Sequence, residues 1–401
     1  YDYTVLAGTQ GVFGHFKKDR LFDLIERMRL PTVFFAEGGG GRPGDTDHPT
    51  VSSLQVRAFK LWAGLSGLVP RIAVATIRSA ADTSIGMGGP AMIAGGGLGD
   101  VHPDEVGPIS VQEPNGVVDL VVADETEAVA AARRLLGYFQ GSTAPGEVAD
   151  QTVLRTMVPE RARRAYDVTP VIETLADADS VTVLRPRFAR EMVTALARID
   201  GRPVGVLAND TRYMAGAITA AASDKAARFL QLCDVFGLPV ISLIDCPGYM
   251  VGPAAEAEAL VRRGSRLLVA GAALRVPLIA VVLRRGYGLG AQAMAGGGLH
   301  EPVLTVAWPG AHLGPMGLEG AVRLGMRKEL EAIADEPERE GRERQATAAA
   351  KRHAAALNAA MHFEIDDVVD PAETRGLIAA TLAAATAAPR DRPPRRFVDT
   401  W

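Results

Sequence analysis

The chain has 401 residues, 48% of them hydrophobic and 22% charged, with a formal net charge of −4. One hydrophobic core rarely fills more than about 250–300 residues, so two domains are expected of an otherwise ordinary globular composition. The two charge signs are mixed, which leaves no footprint for nucleic acid, and the most apolar stretch, Leu267 to Leu283, is broken by Arg275 and Pro277, which excludes a spanning helix.

The chain opens at Tyr1 without a methionine, which is compatible with a fragment, and no secretory signal is seen at its start. Ala7-Gly8 is followed by a basic helical stretch around Lys17, then by Leu30-Pro31 and the apolar run Thr32 to Phe35. That run ends in Glu37-Gly38-Gly39-Gly40-Gly41-Arg42. A second helix leads to Val69-Pro70 and the run Arg71 to Thr76. The region between Thr143 and Thr182 is polar and Arg-rich and reads as a link between two halves.

The second half repeats the first. Ala215-Gly216, Lys225, Leu238-Pro239, the run Val240 to Ile244 and Asp245-Cys246-Pro247-Gly248-Tyr249 follow in the same order. Gly8 with Gly216, Lys17 with Lys225, Pro31 with Pro239 and Gly40 with Gly248 are each 208 positions apart. Val276-Pro277 and the run Leu278 to Leu283 then match Val69-Pro70 and its strand at an offset of 207. Continuous runs of Val, Ile and Leu suit parallel strands covered on both faces, and alternating strands and helices imply right-handed crossovers. From Gly317 the composition is helical, and Pro371 after Asp366-Asp367 sits near the start of a last helix. The expected organisation is a first domain over 1–142, a link over 143–182 and a second domain over 183–401.

The glycine-rich turns carry the chemistry. Gly286-Tyr287-Gly288-Leu289-Gly290-Ala291 after a strand fits a dinucleotide fingerprint, but the next strand, Leu304 to Trp308, lacks the acid that would hold a ribose. No Walker A sequence occurs. Gly95-Gly96-Gly97 and Gly296-Gly297-Gly298 read as tight turns. Gly288, Leu289 and Gly290 are the better candidates, because small residues at a strand-to-helix turn leave backbone N–H groups uncovered. Such groups can hold the oxyanion of a thioester enolate.

The run Asn209 to Lys225, with Phe229 to Asp234, Asp245 to Tyr249, Val261-Arg262-Arg263-Gly264, Arg284 to Ala291 and Met316 to Val322, resembles the biotin-dependent carboxyltransferases that act on acyl-CoAs. In the first half Glu37 to Arg42 and Ile85 to Met92, and near the end His362 to Asp367, resemble the same family, most closely its versions fused to biotin carboxylase and biotin-carrier segments. The resemblance implies an α/β protein of two crotonase-like domains related by an internal repeat, with a helical C-terminal segment. The first domain would bind acyl-CoA and the second carboxybiotin, with the active site between subunits of a homodimer or larger homo-oligomer. Catalysis would rest on two oxyanion holes of backbone amides. The biotin-side pair falls on Leu289 and Gly290, beside Gly288. Gly39, Gly40, Gly41 and Arg42 fall on the first domain's substrate turn, and Pro247, Gly248 and Tyr249 on the second's. The family's aromatic–aspartate pair becomes Ala291-Gln292 here, which leaves acetyl, propionyl, methylcrotonyl and longer acyl chains all open.

Biotin would arrive as carboxybiotin on a separate carrier. None of the six lysines sits between two methionines, so the chain lacks the usual attachment site and needs biotin carboxylase and carrier components as partners. No metal is expected. Cys233 and Cys246 form no metal or disulfide pattern and suit a reducing cytoplasm. His300 and His312 read as loop residues, Asp245 as a base or a helix cap, Tyr249 as pocket wall or packing, and Arg262, Arg263 and Arg266 as CoA-phosphate contacts or a solvated face. Two rival readings are a crotonase-type hydratase or isomerase, against which the duplication argues, and a CoA-binding scaffold without turnover.

One departure feeds the scaffold reading. Pro277 to Met316 spans 39 positions, but the matching Pro70 to Met87 spans 17. After Arg78 the first half lacks the residues that would form its own oxyanion turn, and Tyr1 aligns with Asn209, so the strand matching Val204 to Leu207 lacks a counterpart. A chain of only these residues is expected to have little activity.

Overall fold

The computed structural model describes residues 1–38, 57–75, 83–161 and 163–385. They fall into two compact units, Tyr1–Gly141 and the residues from Ser142 onward.

In the first unit a helix, Val12–Met28, leads into β1, Thr32–Phe35. A helix at Ala58–Gly64 precedes β2, Arg71–Val74. The two strands are parallel, with Thr32 opposite Arg71. Phe22 buries against Ala58 and Leu61, with Phe34 and Trp62 packed around it. The Phe22–Trp62 and Phe34–Trp62 ring centroids lie 5.2 and 5.4 Å apart. A later helix, Glu125–Tyr138, starts at Asp124, whose carboxylate accepts from the Glu127 amide at 2.9 Å.

The second unit carries an eight-stranded sheet. Its strands are β3 Thr182–Leu184, β4 Met192–Ile199, β5 Arg202–Asn209, β6 Val240–Cys246, β7 Leu278–Tyr287, β8 Leu304–Ala307, β9 His312–Gly314 and β10 Asp367–Val368. The order is β10-β8-β7-β6-β5-β4-β3, with β9 on the end of β7. β5 to β8 are parallel, and β3-β4-β5 is an antiparallel meander turning at Asp200-Gly201. Every residue of β6 and β7 is buried, which is why both open on continuous, mostly apolar runs, Val240 to Ile244 and Leu278 to Leu283, before the charged residues at their ends. The segment 143–182 is Arg-rich yet packs here: Val168, Val171 and Ile172 belong to the core of this unit.

The repeat is visible in both units. Helix Ala220–Phe236 has the same 17-residue length as Val12–Met28, and each ends in a left-handed residue, Gly237 and Arg29. Each is preceded by a short turn whose middle alanine, Ala7 or Ala215, has φ 52°. The glycine after it lies against a strand-end carbonyl, Gly8 against Glu37 and Gly216 against Asp245.

Candidate active site

β7 ends at Tyr287 and turns at Gly288, with φ +58°, into a helix at Gly288–Met294. A Cβ at Gly288 would stand 2.6 Å from the Pro315 carbonyl oxygen, so only glycine fits both the torsion and the space. β6 ends at Cys246 and continues through Pro247 to Gly248, with φ +129°. The two strand ends meet: a Cβ at Gly290 would lie 2.7 Å from the Gly248 carbonyl carbon and 2.8 Å from Cys246 Sγ. The helix starts without a side-chain cap, and among the described residues the amides of Leu289 and Gly290 donate to no protein acceptor. The predicted residues Gly288, Leu289, Gly290, Pro247, Gly248 and Tyr249 are therefore brought together. Gly39, Gly40, Gly41 and Arg42 lie outside the described residues, as do Arg78 and the four residues after it.

A third segment buttresses this corner. The Ile218 amide donates to the Gly248 carbonyl at 3.0 Å, and the Met250 amide donates back to Ile218 at 2.9 Å. Between them Tyr249 lies against Gly264 and donates its hydroxyl to the Gly264 carbonyl at 3.1 Å. Burial pushes the Tyr249 phenol above its ordinary pKa, so it packs and donates and carries no charge. Burial likewise pushes the Cys246 thiol up to about 12, which removes it as a nucleophile.

Asp245 acts neither as a base nor as a helix cap. It is fully buried, with Oδ2 2.9 Å from Arg284 Nε and Oδ1 2.5 Å from Arg285 Nε. Arg284 continues to the carbonyls of Pro159, Arg161 and Arg164, and Arg285 to that of Ala215 at 2.8 Å. Arg263 and Arg266 are both bound to Asp224, at 2.7 and 2.6 Å, and so are not a bare phosphate-binding face. His300 contacts the Phe363 carbonyl at 2.6 Å. Among the described residues no group of three His, Cys, Asp or Glu could hold a metal ion, and no helix is long and apolar enough to cross a membrane.

Beside the turn lies a cavity of about 530 Å³, lined by Gly288, Ala291, Gln292, Leu313, Leu318 and Asn358 among others. Sequence reasoning missed Ile218 as the brace of Gly248. It also missed Lys225, singled out only as a landmark of the repeat, which is buried and bonded to four carbonyls.

Residues 62–399 match the carboxyl transferase domain family. The chain belongs to that family. Of its relatives, the biotin-dependent acetyl-/propionyl-coenzyme A carboxylase beta6 subunit of Mycobacterium tuberculosis is 33% identical over 409 residues, covering 96% of this chain and 85% of the relative. That alignment is longer than this chain, so the relative has internal residues without a counterpart here. The methylmalonyl-CoA carboxyltransferase 12S subunit of Propionibacterium freudenreichii subsp. shermanii is 32% identical over 98% of this chain and 79% of its own. Among solved structures, a single-chain, multi-domain long-chain acyl-CoA carboxylase is 51% identical with a TM-score of 0.88 over 95% of this chain. This chain spans only 39% of that protein's length. The crotonase-like core of transcarboxylase 12S, a hexamer solved with methylmalonyl-coenzyme A, superposes with a TM-score of 0.87 at 29% identity.

Proposed function

We propose that this carboxyl transferase domain moves a carboxyl group from carboxybiotin to the α-carbon of an acyl-CoA. The observation that carries this reading is the pair of uncommitted amides at Leu289 and Gly290, held against Gly248 by a contact that only glycine permits. Carboxybiotin, brought by a separate carrier, supplies the carboxyl group when bound. Leu289 and Gly290 donate two N–H groups to an oxygen that gains negative charge, and Gly288 and Gly248 leave the approach free of side chains. The fixed amides need no reorganisation as charge develops, so they favour the charged state over the neutral one.

The acceptor side rests on the first domain, with Gly39, Gly40, Gly41 and Arg42 as its substrate turn. Longer acyl chains are the acceptors we favour: the 51% identical relative is a long-chain acyl-CoA carboxylase, and small Ala291, in place of an aromatic, lines the cavity beside the turn. The working form is a homo-oligomer with biotin carboxylase and carrier partners, after relatives described as beta subunits of biotin-dependent carboxylases and a 12S core described as a hexamer. Both described cysteines are free and buried, which fits the reducing cytoplasm where we place the reaction.

The test is incorporation of labelled bicarbonate into a panel of acyl-CoAs of increasing length by the complete enzyme, with and without avidin. Avidin-sensitive incorporation that favours long chains is expected. Turnover that ignores avidin contradicts the reading. Acyl-CoA binding without turnover in the complete enzyme favours the scaffold.

A further inference from the structure

Lys225 lies on the helix Ala220–Phe236 with 2% of its surface exposed. Its Nζ donates to the carbonyls of Arg185 at 2.9 Å, Phe188 at 2.7 Å, Ala189 at 3.4 Å and Met192 at 2.6 Å. Four carbonyls around one ammonium resemble the shell of a bound monovalent cation. The segment 185–192 wraps around it, with Arg185 and Ala189 in the left-handed region at φ 53° and 44°. Burial pushes the Lys225 amine down to about 7, Glu191 and Asp210 pull it up and Arg185 pushes it down. The carbonyls stand in for the water that the charge has lost.

The clamped segment makes two contacts with the segment that carries Ile218. Glu191 accepts from the Thr219 hydroxyl, the cap of the Lys225 helix, and the Arg190 guanidinium stacks on Tyr213 at 3.9 Å. Thr219 adjoins Ile218, which holds Gly248 and Met250, and Tyr213 begins the turn that leads to it, its carbonyl accepting from the Gly216 amide at 2.8 Å. Gly248 is the surface on which Gly290 rests.

We propose that Lys225 is a positioning residue for the carboxybiotin-side turn: its ammonium acts as a built-in cation whose clamp on 185–192 braces Ile218 and, through it, Gly248 and Gly290. The idea rests on the function proposed above, but its first test does not need turnover. In Lys225→Ala, amide exchange of Ile218 and Met250 should speed up by about tenfold while β1 of the first unit is unchanged. Ammonium ions, which fit the vacated carbonyl shell, should restore slow exchange, and tetramethylammonium should not.

In the complete carboxylase the same variant should lower kcat for carboxyl transfer by about tenfold and leave the KM for acyl-CoA unchanged, with ammonium rescue. Wild-type exchange at Ile218 and Met250, a raised acyl-CoA KM with kcat unchanged, or exchange indifferent to ammonium would each overturn the proposal. A variant that fails to fold with any of these salts overturns it as well, because the proposal makes Lys225 a local brace and not a requirement of the whole core. If wild-type enzyme lacks carboxyl transfer while the exchange result holds, the functional reading fails and the brace stands.

Discussion

Gly290 rests on Gly248: a methyl group built on the first would sit 2.7 Å from the carbonyl carbon of the second, closer than side chains and backbone ever pack. Substituting Gly290→Ala must therefore part the ends of β6 and β7 or move the turn. We expect the variant to lose about 1–3 kcal/mol of stability from overpacking and to turn over at least tenfold more slowly. Urea unfolding and steady-state kinetics of the complete enzyme check both, and a stable, fully active Gly290→Ala would remove the contact from the mechanism.

Asp245 holds two buried arginines, and through Arg285 it also holds the carbonyl of Ala215. In Asp245→Ala both guanidinium groups stay buried without a counter-charge. Breaking a buried ion pair from one side costs about 3–5 kcal/mol, so the urea midpoint of the second unit should fall sharply. A variant that is lost in activity but unchanged in stability would instead return Asp245 to the role of a base.

The scaffold of the second domain was legible because its signals are local. β6 and β7 open on the apolar runs Val240 to Ile244 and Leu278 to Leu283, and the landmarks Gly8 with Gly216 and Lys17 with Lys225 fall on matching turns and helices in both units. The glycine turn was legible for the same reason. What sequence could not give is partnership across the sheet. Arg284 and Arg285 lie 39 and 40 positions from Asp245 and meet it only because β6 and β7 are neighbours. The carbonyls around Lys225 lie 33 to 40 positions upstream, on the loop before β4 and at that strand's first residue. In 143–182 an Arg-rich average hides Val168, Val171 and Ile172, which are buried.

Asp177 ties three distant segments together. It accepts from the amides of Gly201 and Asp200 at 2.7 and 3.0 Å and from Gly146 at 3.3 Å, and pairs with Arg375 at 2.6 Å. Burial raises its pKa, but Arg375 and the three amides outweigh that and hold it below the ordinary carboxylate value. A lowered folded-state pKa contributes stability that is present above the unfolded value of about 3.9 and is lost as pH falls through the folded value. Asp177→Asn should therefore be less stable at pH 7 and show a flatter loss of stability between pH 5 and 2, read from thermal melts across that range. Parallel acid limbs in the two proteins would rule this out.

The first half is short between Pro70 and Met87, and this shortage predicts a mass. If the natural protein holds the missing turn, its intact mass is clearly above the 42.3 kDa of these residues, and it is active. A protein of only 42.3 kDa should carry little transferase activity while its second unit still folds. Normal turnover at that mass would contradict the placement of the acyl-CoA site.

The central claim is that two backbone amides at Leu289 and Gly290 hold the charged oxygen on the biotin side. Leu289→Pro removes one of them while Leu289 itself points its side chain outward, 53% exposed, so the core is spared. The decisive measurement is the rate of carboxyl transfer by this variant in the complete enzyme, with its fold checked by circular dichroism. The account predicts a loss of about 10²–10³ in rate with the acyl-CoA KM unchanged. A well-folded Leu289→Pro enzyme that transfers carboxyl groups at the wild-type rate would contradict it.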